Sequence, residues 1–305
     1  MGAALALAGR AIGTTYPNPP VGCIITHENK VIGRGWTQPG GRPHAEQMAL
    51  AGLNAPGATA HVTLEPCAHQ SPRGPDCTST LINSGVARVV IACTDPDPRT
   101  AGKSIARLQA SGIEVISGIR AEEAKALLAG FMQPRPHVTL KLALSLDGCL
   151  ALADGTSRWL TGPRARAHAH LERARADIIL VGQGTMAADT PRLDVRLPGL
   201  QARTPRPALL GKGPAPHGWL HFKSLEDIAQ SGAHRVLVEG GAQVAASLLA
   251  ADMVDRLLVY RAPLLLGGRP GIASLGLTDL PHGRWTHGTV IPLGPDRLET
   301  FTRNR

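Results

Sequence analysis

The chain has 305 residues, 43% of them hydrophobic, and 32 Lys+Arg against 23 Asp+Glu give it a formal net charge of +9. That length and apolar content allow a sizeable core and most often divide into two domains. The basic excess calls for an anionic partner, but aromatic residues make up only 3% and the arginines are scattered, so few rings exist to stack unpaired bases. A small phosphorylated molecule fits better than nucleic acid.

The opening MGAALALAGR is apolar without a basic leader and reads as a helix. Val21 to Thr26 and Lys30 to Trp36 are apolar runs joined at His27-Glu28-Asn29, a hairpin pattern. Pro43 suits the first turn of a helix over HAEQMALAGL, with His44 and Glu46 in that turn. Ala60 to Leu64 reads as a buried strand, and Cys77 opens a helical stretch closed by Gly85. Strand Arg88 to Ala92, helix 103–111, strand Ile113 to Ser117 and helix 121–132 continue an α/β alternation. Two prolines in the stretch from Phe131 to His137 mark a boundary, giving domains 1–134 and 137–305. The second series starts with a strand from Val138 and a loop at Asp147-Gly148, then a polar stretch to Trp159. Helix 163–176 and strand Asp177 to Val181 follow. Arg206 to Leu210 reads as a poor strand because prolines flank and interrupt it. Strand Arg235 to Val238, a Gly240-Gly241 turn, helix 242–251 and strand Arg256 to Tyr260 complete it. No stretch reaches about 18 apolar residues without a charge or breaker, so no transmembrane helix and no membrane partner are expected.

His44, Cys67 and Cys77 are three borderline-soft donors suited to Zn²⁺ with its fourth position open to water. Such a metal lowers the pKa of water to about 7, and the Glu46 carboxylate is placed to shuttle its proton. The order His-x-Glu, Pro-Cys, Cys is that of zinc deaminases, whose second pair is usually Cys-x-x-Cys; here nine residues separate the cysteines. A Cys67–Cys77 disulfide is the alternative, but five cysteines are neither dense nor evenly paired. Reduced thiols without a secretory leader lead us to expect a cytoplasmic protein. Cys23, Cys93 and Cys149 read as core thiols. Gly240-Gly241 suits a phosphate cradle at a helix start and a plain turn equally well, and an arginine on a helix, such as Arg173, suits a solvated face.

TYPNP with Val21-Gly22-Cys23, then PHAE, TLEPCAH and ARVVIACTDPDP, resembles the deaminase half of the bifunctional riboflavin-biosynthesis enzymes. KLALSLDG, SRWLTGPRAR, Gly184 to Arg196, and VLVEGGAQVAASLL followed by VDRLLVYRAP are similar to the reductase half. The resemblance runs over nearly the whole chain in order. It implies an α/β protein: a cytidine-deaminase-like three-layer domain, then a shortened dihydrofolate-reductase-like domain. It implies zinc-dependent deamination of a diamino-pyrimidinone ribosylamine 5′-phosphate, followed by NADPH reduction of the ribosyl chain. His44, Cys67 and Cys77 would hold zinc, Glu46 would move the proton and Asn18 would face the substrate. Asp95, Asp97 and Arg73 are further candidate contacts in that half, Arg73 for phosphate. In the second half Ala143, Trp159, Thr161, Thr185, Asp189, Gly240 and Gly241 would line the cofactor. Ser157, Arg173, Leu193, Arg196 and Glu239 would contact substrate.

Two departures stand out. The cysteine spacing is one residue longer than is usual for the family, and only 42 residues separate Arg196 from Glu239, where the family has a longer segment. That second departure leaves room for another reading, a deaminase whose C-terminal domain is a non-catalytic dimerisation unit. A nucleic-acid deaminase with a targeting module is a third. A homo-oligomer formed through the C-terminal domain is expected.

Overall fold

Residues 1–69 and 74–305 are described by the structure, a computed structural model, and they divide into two units, Met1–Pro134 and Arg135–Arg305. In the first, β1 (Gly22–His27) and β2 (Lys30–Trp36) pair antiparallel across Glu28 and Asn29. Both turn residues take positive φ, 47° and 62°, as a two-residue turn between twisted strands requires. β3 (Thr59–Val62) joins β1 antiparallel, and β4 (Arg88–Ile91) and β5 (Glu114–Ser117) extend the sheet in parallel, giving the order β2-β1-β3-β4-β5.

Alternation along β1 divides the packing between two faces. Ile24 joins Ala4 and Leu7 of α1 (Gly2–Ala11), while Cys23 and Ile25 join Ala45 and Ala49 of α2 (Ala45–Ala49). Glycines permit the close approach: a Cβ on Gly22 would stand 2.0 Å from the Ala4 carbonyl oxygen, and one on Gly35 2.1 Å from that of Ala45. α3 (Cys77–Asn83) packs beside α2, and α4 (Lys103–Ala110) beside α3. α5 (Ala121–Leu127) packs against α1 on the other face, which makes three layers.

Two expected helices differ. Pro43 lies before α2 rather than in it, because His44 is extended (ψ 165°) and acts as the N-cap. The helix expected over 121–132 breaks at Leu128, where ψ is 6°, into α5 and α6 (Ala129–Met132).

The second unit contains β6 (His137–Leu144), β7 (Cys149–Ala151), α7 (Pro163–Arg173), β8 (Ile178–Gly182) and α8 (Gln183–Asp189). β9 (Arg206–Leu210), β10 (Leu220–Phe222), α9 (Leu225–Ala229), β11 (Arg235–Val238) and α10 (Ala242–Ala250) follow. β12 (Arg256–Arg261), β13 (Arg269–Pro270), β14 (Trp285–Leu293) and β15 (Asp296–Arg303) complete it. The main sheet runs β10-β9-β8-β11-β6-β12-β15-β14; it is parallel up to β12 and antiparallel beyond.

Arg206 to Leu210 is a paired strand, contrary to the sequence reading. Arg206 N–H donates to the Asp177 carbonyl at 3.0 Å on the β8 side, so the nitrogen of Pro207 faces the other way. β10 pairs only from Ala208 onward, and the missing proline donor therefore costs no ladder bond. Leu140, Leu180, Val238, Leu248 and Phe222 belong to the unit's main core.

Candidate active sites

His44 reaches its position as the N-cap of α2, where its N–H donates to Gln47 Oε1 at 3.0 Å. Cys77 opens α3 behind an N-cap that the sequence reading missed: Asp76 accepts from Ser79 N–H at 2.8 Å. Cys67 lies beyond β3. The three side chains converge: His44 Nδ1 is 3.2 Å from Cys77 Sγ and 3.6 Å from Cys67 Sγ, and all three donor atoms lie within 4.8 Å of one another. Tetrahedral zinc needs N–S and S–S separations of about 3.5–3.8 Å from its bond lengths, so the donor set fits.

The backbone N–H of Cys77 donates to Cys67 Sγ at 3.3 Å, and the two thiols shift in opposite directions. A hydrogen bond from Cys77 holds the Cys67 thiol down at about 4, and the same contact, with complete burial, pushes Cys77 up. Such a pair gives up its proton on binding a divalent metal.

The other ring nitrogen of His44, Nε2, is 2.9 Å from Asn18 Nδ2, which also donates to the Gly41 carbonyl at 3.0 Å. Asn18 therefore orients the imidazole as well as lining the cavity that opens beside it, about 330 Å³ in volume. Glu46, His44 and Cys67 line that cavity too. Glu46 is 3% exposed, and burial raises its carboxyl above the ordinary range while the charge of His44 opposes the rise. A carboxyl so placed holds a proton more readily than a solvated one.

Asp95 and Asp97 also line the cavity. Burial pushes Asp95 up to about 6. Asp97 is gripped by Arg99, whose Nε reaches both carboxylate oxygens at 3.0 and 2.9 Å. Arg42, His69, Arg99 and Glu65 complete a polar wall that the sequence reading did not name. Arg73 lies outside the described residues.

In the second unit an ion cluster forms from several of the expected residues. Arg173 Nε and Nη2 donate to the two carboxylate oxygens of Glu239 at 2.6 and 3.0 Å, and Arg173 Nη1 donates to the Asp194 carbonyl. Lys141, missed in the sequence, stands 3.6 Å from Glu239 and shares a face of β6 with Ala143. Burial works against the Glu239 charge, but Lys141 and then Arg173 prevail and hold it at about 2. Arg196 meets His170 of α7, its backbone N–H donating to Nδ1 at 3.3 Å.

The other positions spread around this cluster. Gly241 caps α10, and a Cβ placed on it would stand 3.4 Å from Thr185 Oγ1; Gly240 precedes it. Asp189 pairs with Arg158 at 3.3 Å. Trp159 is 68% exposed with the Arg166 guanidinium 4.8 Å over its ring, and Arg166 also donates to the Thr161 carbonyl. Ser157 is half-buried in the same loop. Leu193 is 3% exposed and its side chain packs with Ile179 and Val181, while its backbone takes φ 56°.

Comparison with known proteins fits this arrangement. Residues 1–93 match the cytidine and deoxycytidylate deaminase zinc-binding region, and residues 136–214 and 221–291 match the RibD C-terminal domain. The riboflavin biosynthesis protein RibD of Mycobacterium tuberculosis is 39% identical over 326 aligned positions, covering 98% of this chain and 95% of that protein. The chain belongs to the RibD family of riboflavin biosynthesis proteins. Acinetobacter baumannii RibD superposes with a TM-score of 0.90 at 34% identity, covering 99% of this chain and 97% of that one. The Thermotoga maritima diaminohydroxyphosphoribosylaminopyrimidine deaminase/5-amino-6-(5-phosphoribosylamino)uracil reductase has the same TM-score of 0.90 at 30% identity, covering 100% and 97%. Because 326 aligned positions exceed 305 residues, this RibD-family chain lacks segments that the M. tuberculosis protein carries.

Proposed function

We propose that the chain carries out two successive steps of riboflavin biosynthesis, deamination in residues 1–134 and reduction in residues 137–305. The observation that carries the reading is the His44, Cys67 and Cys77 cluster set beside buried Glu46 in one cavity. The first substrate is 2,5-diamino-6-(5-phosphoribosylamino)pyrimidin-4(3H)-one, and the final product is 5-amino-6-(5-phosphoribitylamino)uracil. Zinc, held by the imidazole and two thiolates, supplies the Lewis acidity that makes water a nucleophile at neutral pH. Glu46 takes a proton from the attacking water and delivers it to the leaving amine. Burial raises its pKa, which favours its taking up the proton from water before passing it on. Asn18 holds the imidazole and meets the substrate from the cavity wall.

In the second unit NADPH supplies the hydride. Ala143, Trp159, Thr161, Thr185, Asp189, Gly240 and Gly241 border the cofactor, at or beyond the ends of parallel strands where such sheets bind ligands. Glu239 is a permanent anion fit to accept hydrogen bonds from ribose hydroxyls, and Arg173 holds it in position. Ser157, the Leu193 backbone and Arg196 complete the substrate side, with Arg196 exposed enough to meet phosphate.

Two coarser features extend this reading. Five buried free cysteines suit a reducing cytoplasm. The uncovered edge strand β14 and exposed Leu265 and Leu280 support a homo-oligomer through the C-terminal domain. Supplying the diamino-pyrimidinone phosphate with and without NADPH, and following ammonia and NADPH absorbance, tests both activities. Ammonia release with no NADPH oxidation would reduce the chain to a deaminase.

A further inference from the structure

Among the described residues two guanidinium groups line the deaminase cavity, and they differ in how they are paired. Arg99 is locked onto Asp97. Arg42 lines the same cavity, yet its Nε and Nη1 are shielded from solvent and have no hydrogen-bond partner among the described residues. Gln47, which flanks the same Gly74, is already committed: its Oε1 accepts from His44 N–H at 3.0 Å, and its Nε2 donates to the Pro75 carbonyl at 3.1 Å. Gly74 passes close by, so that a Cβ built on it would stand 3.5 Å from Arg42 Nη1. Arg42 as a whole is half-buried, but these two N–H groups are withdrawn from water without an acceptor and bear a desolvation penalty that an incoming acceptor would relieve.

We propose that Arg42 is the specificity-determining residue for the 5′-phosphate of the deaminase substrate, an inference that rests on the deaminase reading above. A neutral ring carbonyl would satisfy one donor and leave the positive charge unbalanced. A phosphate dianion offers oxygens matched to the guanidinium fork and cancels the charge as well. Placement agrees, because Arg42 sits two residues before His44. The reacting carbon must lie near His44, Cys67 and Glu46, which leaves the cavity wall to hold the rest of a ribosylamine phosphate.

The test compares wild type, Arg42→Ala and Arg42→Lys on the phosphorylated ribosylamine and its dephosphorylated counterpart, with ammonia release as the readout and zinc content checked in each. Arg42→Ala should lower kcat/KM for the phosphorylated substrate roughly 10- to 100-fold, mostly through KM, and collapse the preference for phosphate. Arg42→Lys should keep part of that preference, since it retains the charge but not the fork. An equal loss on both substrates, or an unchanged preference, overturns the proposal. A ³¹P NMR titration with inorganic phosphate needs no turnover and separates the two claims. Wild type that binds phosphate through Arg42 but releases no ammonia refutes the deaminase reading, whereas ammonia release with phosphate binding intact in Arg42→Ala refutes this one.

Discussion

Replacing Glu239 by glutamine removes one charge from a buried cluster and leaves two cations facing an amide. The carboxylate side chain is 10% exposed, and Arg173 and Lys141 lie 2.6 and 3.6 Å away. Its pKa falls from 4.5 to about 2 on folding, which at 1.36 kcal/mol per unit is about 3 kcal/mol in favour of the charged folded form. Breaking a buried pair by removing one partner typically costs 3–5 kcal/mol, so the two routes agree. For a domain of this size about 3 kcal/mol moves the midpoint by roughly 6–12 °C. Because the folded pKa is depressed, this stabilisation is complete above about 4.5 and is lost as pH falls toward about 2. Thermal unfolding followed by circular dichroism at pH 7 and at stepped pH values below 5 should show two things. Glu239→Gln should unfold earlier at pH 7, and its deficit relative to wild type should shrink as pH falls. A midpoint within 2 °C of wild type at pH 7, or a deficit that does not change with pH, would show that the cluster does not stabilise the unit.

Three further outcomes are expected. Purified protein should contain one zinc per chain, and dialysis against a chelator should abolish ammonia release until zinc is restored; activity that survives full metal removal would sink the assignment of His44, Cys67 and Cys77. Glu46→Gln should keep its zinc and lose about 10²- to 10⁴-fold in deamination rate, whereas near wild-type ammonia release would make Glu46 structural. Arg196→Ala should leave unfolding nearly unchanged, because the side chain is half exposed, yet weaken the deaminated substrate by about 1.5–3 kcal/mol relative to NADPH; equal effects on both ligands, measured by KM, would remove Arg196 from the phosphate side.

Much of the first unit can be read from sequence because its signals are local. The hairpin at Glu28-Asn29 and the helix starts at His44 and Cys77 each depend on a few adjacent residues. The walls of its cavity do not. Arg42, His69 and Arg99 come together only through the fold, and no spacing rule links Arg42 to Arg99. Lys141 escaped notice for the same reason, since its partner Glu239 lies on a different strand's end, almost a hundred residues later. β14 and β15 were not read because β14 is an edge strand exposed on nearly every residue, so no period-2 apolar pattern marks it. The Pro207 error had another source: a proline excludes a strand only where its nitrogen must donate, and at this position it need not.

The short stretch between Arg196 and Glu239 bears on how this chain keeps a reductase unit. It supplies β9, β10, α9 and β11; β10 and β9 stand at one end of the sheet order, whereas β11 lies between β8 and β6. Of the residues proposed for cofactor and substrate, Ala143 lies on β6, Arg173 on α7, Thr185 and Asp189 on α8, and Gly240-Gly241 lead into α10; none lies within β9, β10 or α9. Ala208, Phe222 and Ile228 still enter the main hydrophobic cluster with Val138 and Val238, so even brief elements close the core. The link after β9 is made by glycines that pass directly over Gln183 at the start of α8: a Cβ on Gly213 would stand 2.6 Å from Gln183 Nε2. A side chain at that crossing would displace the Gln183 amide. The Arg173–Glu239–Lys141 cluster takes none of its members from β9, β10 or α9.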